Sequence, residues 1–228
     1  LALLQNADYD VEKAQRGLEM TAEQLPDVEL LKMPVTGTAE DSERAAALLR
    51  DAAVRCIVVL GGDGTVRVVS REAGETPLLA ISTGTNNVLP SAVEGTVAGT
   101  AAGGVASGFV PLSQAALRHK WLQVLINGQD RDRALVEVGV LKGRFVAARA
   151  VWHPEDIELV VGTRGSPDSV GLSAILGMVE PFGTDDGHAL AVKLDGGKGR
   201  RILVPLAPGL MKDVCISDAW RIVDGQAV

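Results

Sequence analysis

Cys56-Ile-Val-Val-Leu-Gly-Gly-Asp-Gly-Thr65 is the stretch on which the reading of the fold turns. Its first half is a continuous apolar, β-branched run closed by glycines. Such a run predicts a strand buried on both faces, as in a parallel sheet. Its second half predicts a turn over 61–64, and residues 65–73 follow as a short helix. A second apolar run, Leu78-Leu-Ala-Ile81, stands behind Pro77 and predicts the next strand. Upstream the alternation continues. Asp10 is a cap for a helix over 11–25, which Pro26 ends. Residues 28–33 read as a short strand and 43–53 as an alanine-rich helix, with cap candidates over 38–42. Helix alternating with buried strand is the pattern of an α/β domain with a parallel sheet and right-handed crossovers.

Downstream, residues 92–108 form a helix candidate rich in Ala, Gly and Val, with Gly95, Gly99 and Gly103 at every fourth position. That spacing predicts close backbone packing on the sheet. Beyond about residue 109 the texture becomes strand-like. Trp121-Leu-Gln-Val-Leu-Ile126 runs into Asn127-Gly128, a strong short hairpin signal. Further strands are predicted over 134–141, 145–151, 156–161, 189–194 and 201–206, the last two joined by a turn over 195–199. The expected organisation is an α/β nucleotide-binding domain over 1–110 and a β-rich, sandwich-like substrate domain over 111–228. A chain of 228 residues is long enough for both.

Composition excludes several functions. The net charge of −7 repels a phosphate backbone, and 3% aromatic residues leave few stacking platforms, so no nucleic-acid partner is expected. The two cysteines, Cys56 and Cys215, form no metal-ligand spacing and no disulfide framework. Cys56 reads as a small buried hydrophobe. The sequence opens at Leu1 without a charged segment and apolar core, and it holds no uncharged apolar stretch of about 20 residues. No secretory leader, no membrane partner and a cytoplasmic location are expected. Glycine is in excess at 26 residues, and ten of them fall within 61–108.

Those glycines carry the chemistry. Gly61, Gly62 and Gly64 stand where a strand ends and a helix begins, so backbone N–H groups and the helix N-terminus can cradle phosphate. Asp63 is the odd member, because a carboxylate in a phosphate cradle needs a task. It can hold Mg²⁺ or accept the proton of an attacking hydroxyl. The second turn, Ser82-Thr-Gly-Thr-Asn-Asn87, follows the next strand and opens onto the same crevice, since ligands of open parallel sheets bind beyond the carboxyl ends of strands. Its hydroxyls and amides suit ribose and phosphate oxygens.

Cys56-Ile-Val-Val-Leu-Gly-Gly-Asp-Gly-Thr65 resembles the signature of the NAD kinase and diacylglycerol kinase superfamily. With Ile81-Ser-Thr-Gly-Thr-Asn-Asn-Val-Leu-Pro90 it is most similar to the ATP-NAD kinase/AcoX-type branch. The similarity extends through the helix at 94–108 and to Ala134-Leu-Val-Glu-Val138. It implies a flavodoxin-like α/β domain followed by a β-sandwich, and phosphoryl transfer from ATP, as its Mg²⁺ complex, to a hydroxyl such as the 2′-OH of NAD. On this resemblance Asp63 is the catalytic residue. Gly61, Gly62, Gly64 and Thr65 contact phosphate, Gly84, Thr85, Asn86 and Asn87 face the same nucleotide, and Glu137 contacts the dinucleotide. A homo-oligomer is also implied.

The chain departs from the NAD kinase pattern in places. Val136 stands where an Asn precedes the Glu, and the later Thr-Pro-Thr-Gly-Ser stretch is replaced by Val170-Gly-Leu-Ser-Ala174. Gly84-Thr85 with Asn87 also matches the lipid kinases, which keeps a lipid kinase open as an alternative. A non-catalytic nucleotide-binding regulator is the third reading. Arg67 and Arg71, one turn apart on the helix after the glycine turn, either neutralise phosphate, with Arg67 the candidate contact, or form a solvated helix face. Other clusters read as ordinary structure: 153–156 and 185–188 as polar turns, 197–201 as a hairpin tip, and Trp152 and Trp220 as core or interface.

Overall fold

A computed structural model of the protein describes residue 29 and residues 31–84, 87–143, 151, 153–224, 226 and 228. These residues fall in two compact units that divide between Leu117 and Arg118. The expected helix over 11–25 lies outside the described residues, as do Trp152 and nearly all of the strand expected over 145–151.

In the first unit, α1 (Ala39–Asp51) leads to β1 (Ile57–Gly61), α2 (Asp63–Glu72), β2 (Leu78–Ser82), α3 (Gly95–Ser107) and the single turn α4 (Leu112–Ala115). The strand expected over 28–33 is not formed at residues 31–33. Strands β1 and β2 are parallel, with Ile57 opposite Leu78 and Gly61 opposite Ser82. The α2 crossover between them accounts for that direction, since a hairpin cannot join parallel strands. Among the described residues the parallel sheet holds these two strands alone. Its burial also corrects the expectation of a strand covered on both faces. Ile57 and Val59 are buried, but Leu60 is 58% exposed. The alternation follows from strand geometry, with Ile57 and Val59 on one face and Leu60 on the other.

Helices α1 and α2 pack on each other through buried Ala45, Ala46, Leu49, Val66 and Val69. Arg50 crosses from α1 to α2, donating from Nη1 to the Glu72 carbonyl at 2.7 Å and to Glu72 Oε2 at 3.0 Å. Helix α3 opens on Glu94, whose carboxylate accepts from the backbone N–H groups of Thr96 and Val97 and is held below the usual carboxylate range by those bonds. The stripe of Gly95, Gly99 and Gly103 does not do what its spacing predicts. A Cβ at any of the three would meet nothing within 4 Å. The buried positions of α3 are Ala98 and Ala102, and Gly104 packs on Val110. No helix of the described residues is long and apolar enough to cross a membrane.

The second unit is β-rich. β3 (Leu122–Ile126) and β4 (Gln129–Ala134) form an antiparallel ribbon across the Asn127–Gly128 turn, whose residues both have positive φ as such a turn requires. β5 (Glu137–Leu141), β6 (Ile157–Gly162), β7 (His188–Leu194), β8 (Arg200–Ala207) and β9 (Leu210–Val223) form an antiparallel sheet in the order β5-β6-β7-β9-β8. The long β9 pairs with β8 over its first half and with β7 over its second. One core cluster includes Ile157, Val160, Leu190, Val192, Val204 and Val214 of the sheet with Ile175 and Leu176 of α5 (Leu172–Val179). Alternate residues of the same strands, Val161, Ala189, Ala191 and Ile222, form a second cluster with Leu122 of the ribbon and half-buried Trp220. The sheet is thus covered on both faces, as the period-two alternation of strands demands.

Helix α5 sits on the chain after β6 through glycines. A Cβ at Gly177 would fall 2.2 Å from the Ser166 carbonyl carbon, and one at Gly165 would fall 2.7 Å from the Gly177 nitrogen. Both clashes are with backbone, which cannot swing away. Gly177→Ala in an isolated helix would be a gain of about 1 kcal/mol from propensity. Here the overlap should reverse the sign, giving a net loss of about 2 kcal/mol by urea denaturation of the full chain. An unchanged or raised midpoint would contradict this packing.

Candidate functional site

The register of β1 and β2 brings their carboxyl ends side by side, so the two turns that follow them meet. The chain leaves β1 at Gly61, passes Gly62 in extended conformation, and enters α2 at Asp63. The Asp63 carboxylate reaches the other turn. It accepts from the backbone N–H of Val88 at 2.9 Å on Oδ2 and 3.2 Å on Oδ1, and from that of Leu89 at 2.8 Å on Oδ1. In return, the Asp63 N–H donates to Asn87 Oδ1 at 3.4 Å. Asn87 Nδ2 donates to Ser82 Oγ at 2.8 Å, and Ser82 Oγ donates to the Gly84 carbonyl at 3.0 Å. The Ser82 N–H donates to the Ser91 carbonyl, and the Ser91 N–H to that of Ala80, so the segment returns along β2.

The glycines divide by what surrounds them. A Cβ at Gly61 would lie 2.6 Å from Thr65 Oγ1, and one at Gly62 would lie 2.8 Å from Asn87 Oδ1. One at Gly84 would approach Asn87 Nδ2 to 3.2 Å. Gly62 thus leaves room for the second turn to approach the first, while Gly61 makes room for Thr65 and Gly84 for Asn87 within their own turns. Gly64 is different: it is exposed, and a Cβ there meets nothing within 4 Å. The first N–H groups of an α-helix have no partner inside the helix. That of Asp63 is taken by Asn87, and those of Gly64, itself exposed, and Thr65 come next in the helix. With the helix dipole they form a donor surface suited to an anion.

Arg67 sits half-buried one turn into α2. Arg71, its neighbour on the helix face, has its Nε 3.1 Å from Glu43 Oε1, so its charge is matched between α1 and α2. Thr85 and Asn86 lie outside the described residues. Glu137 belongs to the second unit, at the start of edge strand β5, where its Oε2 accepts from Ser173 Oγ at 2.6 Å. Ser173 is 1% exposed and lies in the first turn of α5. Among the described residues no group of three or more His, Cys, Asp or Glu is placed to hold a metal ion.

Two polar turns resolve as structure. At 185–188 the cation is the chain's own. Lys120 Nζ donates to the carbonyls of Gly183, Asp186 and His188 at 2.6–2.8 Å. Burial pushes its pKa below the ordinary lysine value, while Asp186 and Asp185 pull it back up. His188 stacks on Phe182, and its Nε2 lies 3.2 Å from Glu180 Oε1. Arg221 donates to Glu180 from Nε and Nη2, which holds that carboxyl below its usual range. At 153–156 a short 3₁₀ turn carries an exposed His153–Glu155 pair at 3.1 Å.

The fold and site define a two-part protein whose first part carries a kinase-type glycine turn. Residues 3–108 match the ATP-NAD kinase N-terminal domain, and residues 120–228 match the Acetoin catabolism protein X C-terminal domain. The chain is 40% identical over 208 residues to Acetoin catabolism protein X of Cupriavidus necator, covering 89% of this chain and 58% of that protein. The chain belongs to the ATP-NAD kinase/AcoX-type family. It spans a little over half the length of the curated relative it matches. No solved structure matches it.

Asp63 is legible from the sequence, but Val88 and Leu89 are not, because they act through backbone N–H groups that every residue except proline possesses. Their bonds to a carboxylate are charge-assisted and contribute about 1.5–3 kcal/mol each. Asp63→Ala should therefore speed hydrogen exchange at the Val88 and Leu89 amides by at least about tenfold, with amides of β7 unaffected. Equal exchange rates in the variant would show that the carboxylate does not hold this loop.

Proposed function

We propose that the chain is a kinase-like phosphotransferase, using ATP as its Mg²⁺ complex and transferring a phosphoryl group to a hydroxyl, the 2′-OH of NAD being the acceptor the resemblance favours. One observation carries the reading. The glycine turn lies at the carboxyl end of a parallel strand, with Gly64 exposed in the first turn of α2 and Asp63 joining it to the second turn. The match of residues 3–108 to an ATP-NAD kinase domain supports the same chemistry. In this reading β1 and β2 are part of a flavodoxin-like sheet, and the second unit is a sandwich-like substrate domain. Glu137, oriented by Ser173, is the dinucleotide contact it contributes. Thr85, Asn86 and Asn87 face the nucleotide, with Arg67 lending positive charge.

The reaction asks mainly for positioning and charge stabilisation. The acceptor oxygen bonds to the γ-phosphorus as the bond from that phosphorus to the bridging oxygen breaks, ADP leaves, and the hydroxyl proton must go to a base. A carboxylate has about four acceptor sites. Val88 is shared between both oxygens of Asp63 and Leu89 uses Oδ1, so Oδ2 keeps capacity for an acceptor hydroxyl. Mg²⁺ would enter on the nucleotide's phosphates. The described residues form no group of three or more His, Cys, Asp or Glu placed to hold a resident ion.

The occupation of Asp63 favours a second reading, a nucleotide-binding regulator without turnover. If both amides must stay bonded, the carboxylate is a fixture of the loop rather than a base. Incubation with ATP, Mg²⁺ and NAD separates the two. The enzyme reading expects multiple turnovers to NADP, reduced at least about a hundredfold by Asp63→Asn. Tight NAD or ATP binding with no NADP formed would contradict it and leave the regulator.

A further inference from the structure

We propose that the first unit carries a second binding site, for a small monocarboxylate with an apolar body, at the opposite end of its strands from the glycine turns. A cavity of about 500 Å³ opens there, within the range of small-molecule sites. Val54 and Arg55 lead into β1, Pro77 leads into β2, and Val105, Val110 and Leu112 come from the end of α3 and the turn beyond it. Five strand residues at about 3.3 Å each separate this end from Gly61 and Ser82 by roughly 16 Å. A ligand here would not touch the phosphate turns.

Val54, Pro77, Val105, Val110 and Leu112 give the cavity an apolar side, on which Leu112 is 45% exposed. The polar group that matters is Arg55. Arg50, also at the cavity, is neutralised by Glu72 and Asp51. Arg55 makes no hydrogen bond or ion pair among the described residues. Its guanidinium nevertheless has a defined seat. A Cβ at Gly108 would lie 3.2 Å from Nη2 and 3.3 Å from Nη1, so the fork rests on the bare Cα of that residue. Gly108 has φ of 80°, the left-handed conformation that closes α3. One glycine therefore ends the helix and leaves room for the arginine.

A guanidinium fork beside apolar residues, without an anion of its own among the described residues, complements a carboxylate on a hydrocarbon body. A single guanidinium of this kind matches a single carboxylate, which favours a monocarboxylate.

Octanoate, octanol and acetate are suitable probes, titrated into the full chain and followed by amide shifts and calorimetry. The proposal expects saturable octanoate binding with shifts at Thr76, 105–110 and Leu112, at least about tenfold tighter than octanol or acetate. Arg55→Met, an exposed position that leaves the core intact, should remove that advantage over octanol. Three results would each overturn the site: no octanoate binding, octanoate no tighter than octanol in the unaltered chain, or shifts confined to the glycine turns. Undiminished octanoate binding by Arg55→Met would overturn the role of the guanidinium and with it the ligand class.

Discussion

The bonds from Val88 and Leu89 to the Asp63 carboxylate join two turns that are 25 residues apart in sequence. Everything distinctive about the candidate site depends on them. The parallel register supplies only proximity, by setting Gly61 opposite Ser82. The carboxylate converts proximity into a fixed arrangement, and Asn87 completes it from the other side through Asp63 N–H and Ser82 Oγ. The bare Cα of Gly62 leaves room for Asn87 of the other turn, where a Cβ would lie 2.8 Å from its Oδ1.

This arrangement gives Asp63 two demands to reconcile. A carboxylate at a helix N-terminus is stabilised by the dipole and by the amides it accepts from. The same amides compete with any hydroxyl that would use it as a base. The bifurcated bond from Val88 leaves part of one oxygen uncommitted, and the chemistry proposed above depends on that remaining capacity. In the proposed reading, Gly64 serves the ligand more directly than its neighbours. It contributes no packing, and its open surroundings expose helix-terminal N–H groups that a larger residue could cover.

Much of this was legible in the chain itself. The run from Cys56 to Leu60 and the glycines after it locate the first strand, the turn and α2, because local pattern and tertiary role agree there. Asn127–Gly128 likewise marks its hairpin. The Gly95, Gly99 and Gly103 stripe misleads, since spacing reports which residues share a helix face and says nothing of what lies opposite. Leu172-Ser-Ala-Ile-Leu-Gly-Met-Val179 escapes as a helix because it is short and apolar nearly all round, which periodicity cannot distinguish from a buried strand. Lys120 is equally opaque, because its partners are three carbonyls more than 60 residues away.

The central claim is that the paired turns hold a nucleotide phosphate through backbone N–H groups. Titration of the ¹⁵N-labelled chain with NAD, and separately with ATP and Mg²⁺, tests it most directly. The account predicts saturable shifts of the Gly64 and Thr65 amides with one of these ligands, accompanied by Val88 and Leu89. Saturable binding that leaves all four amides unmoved would contradict it.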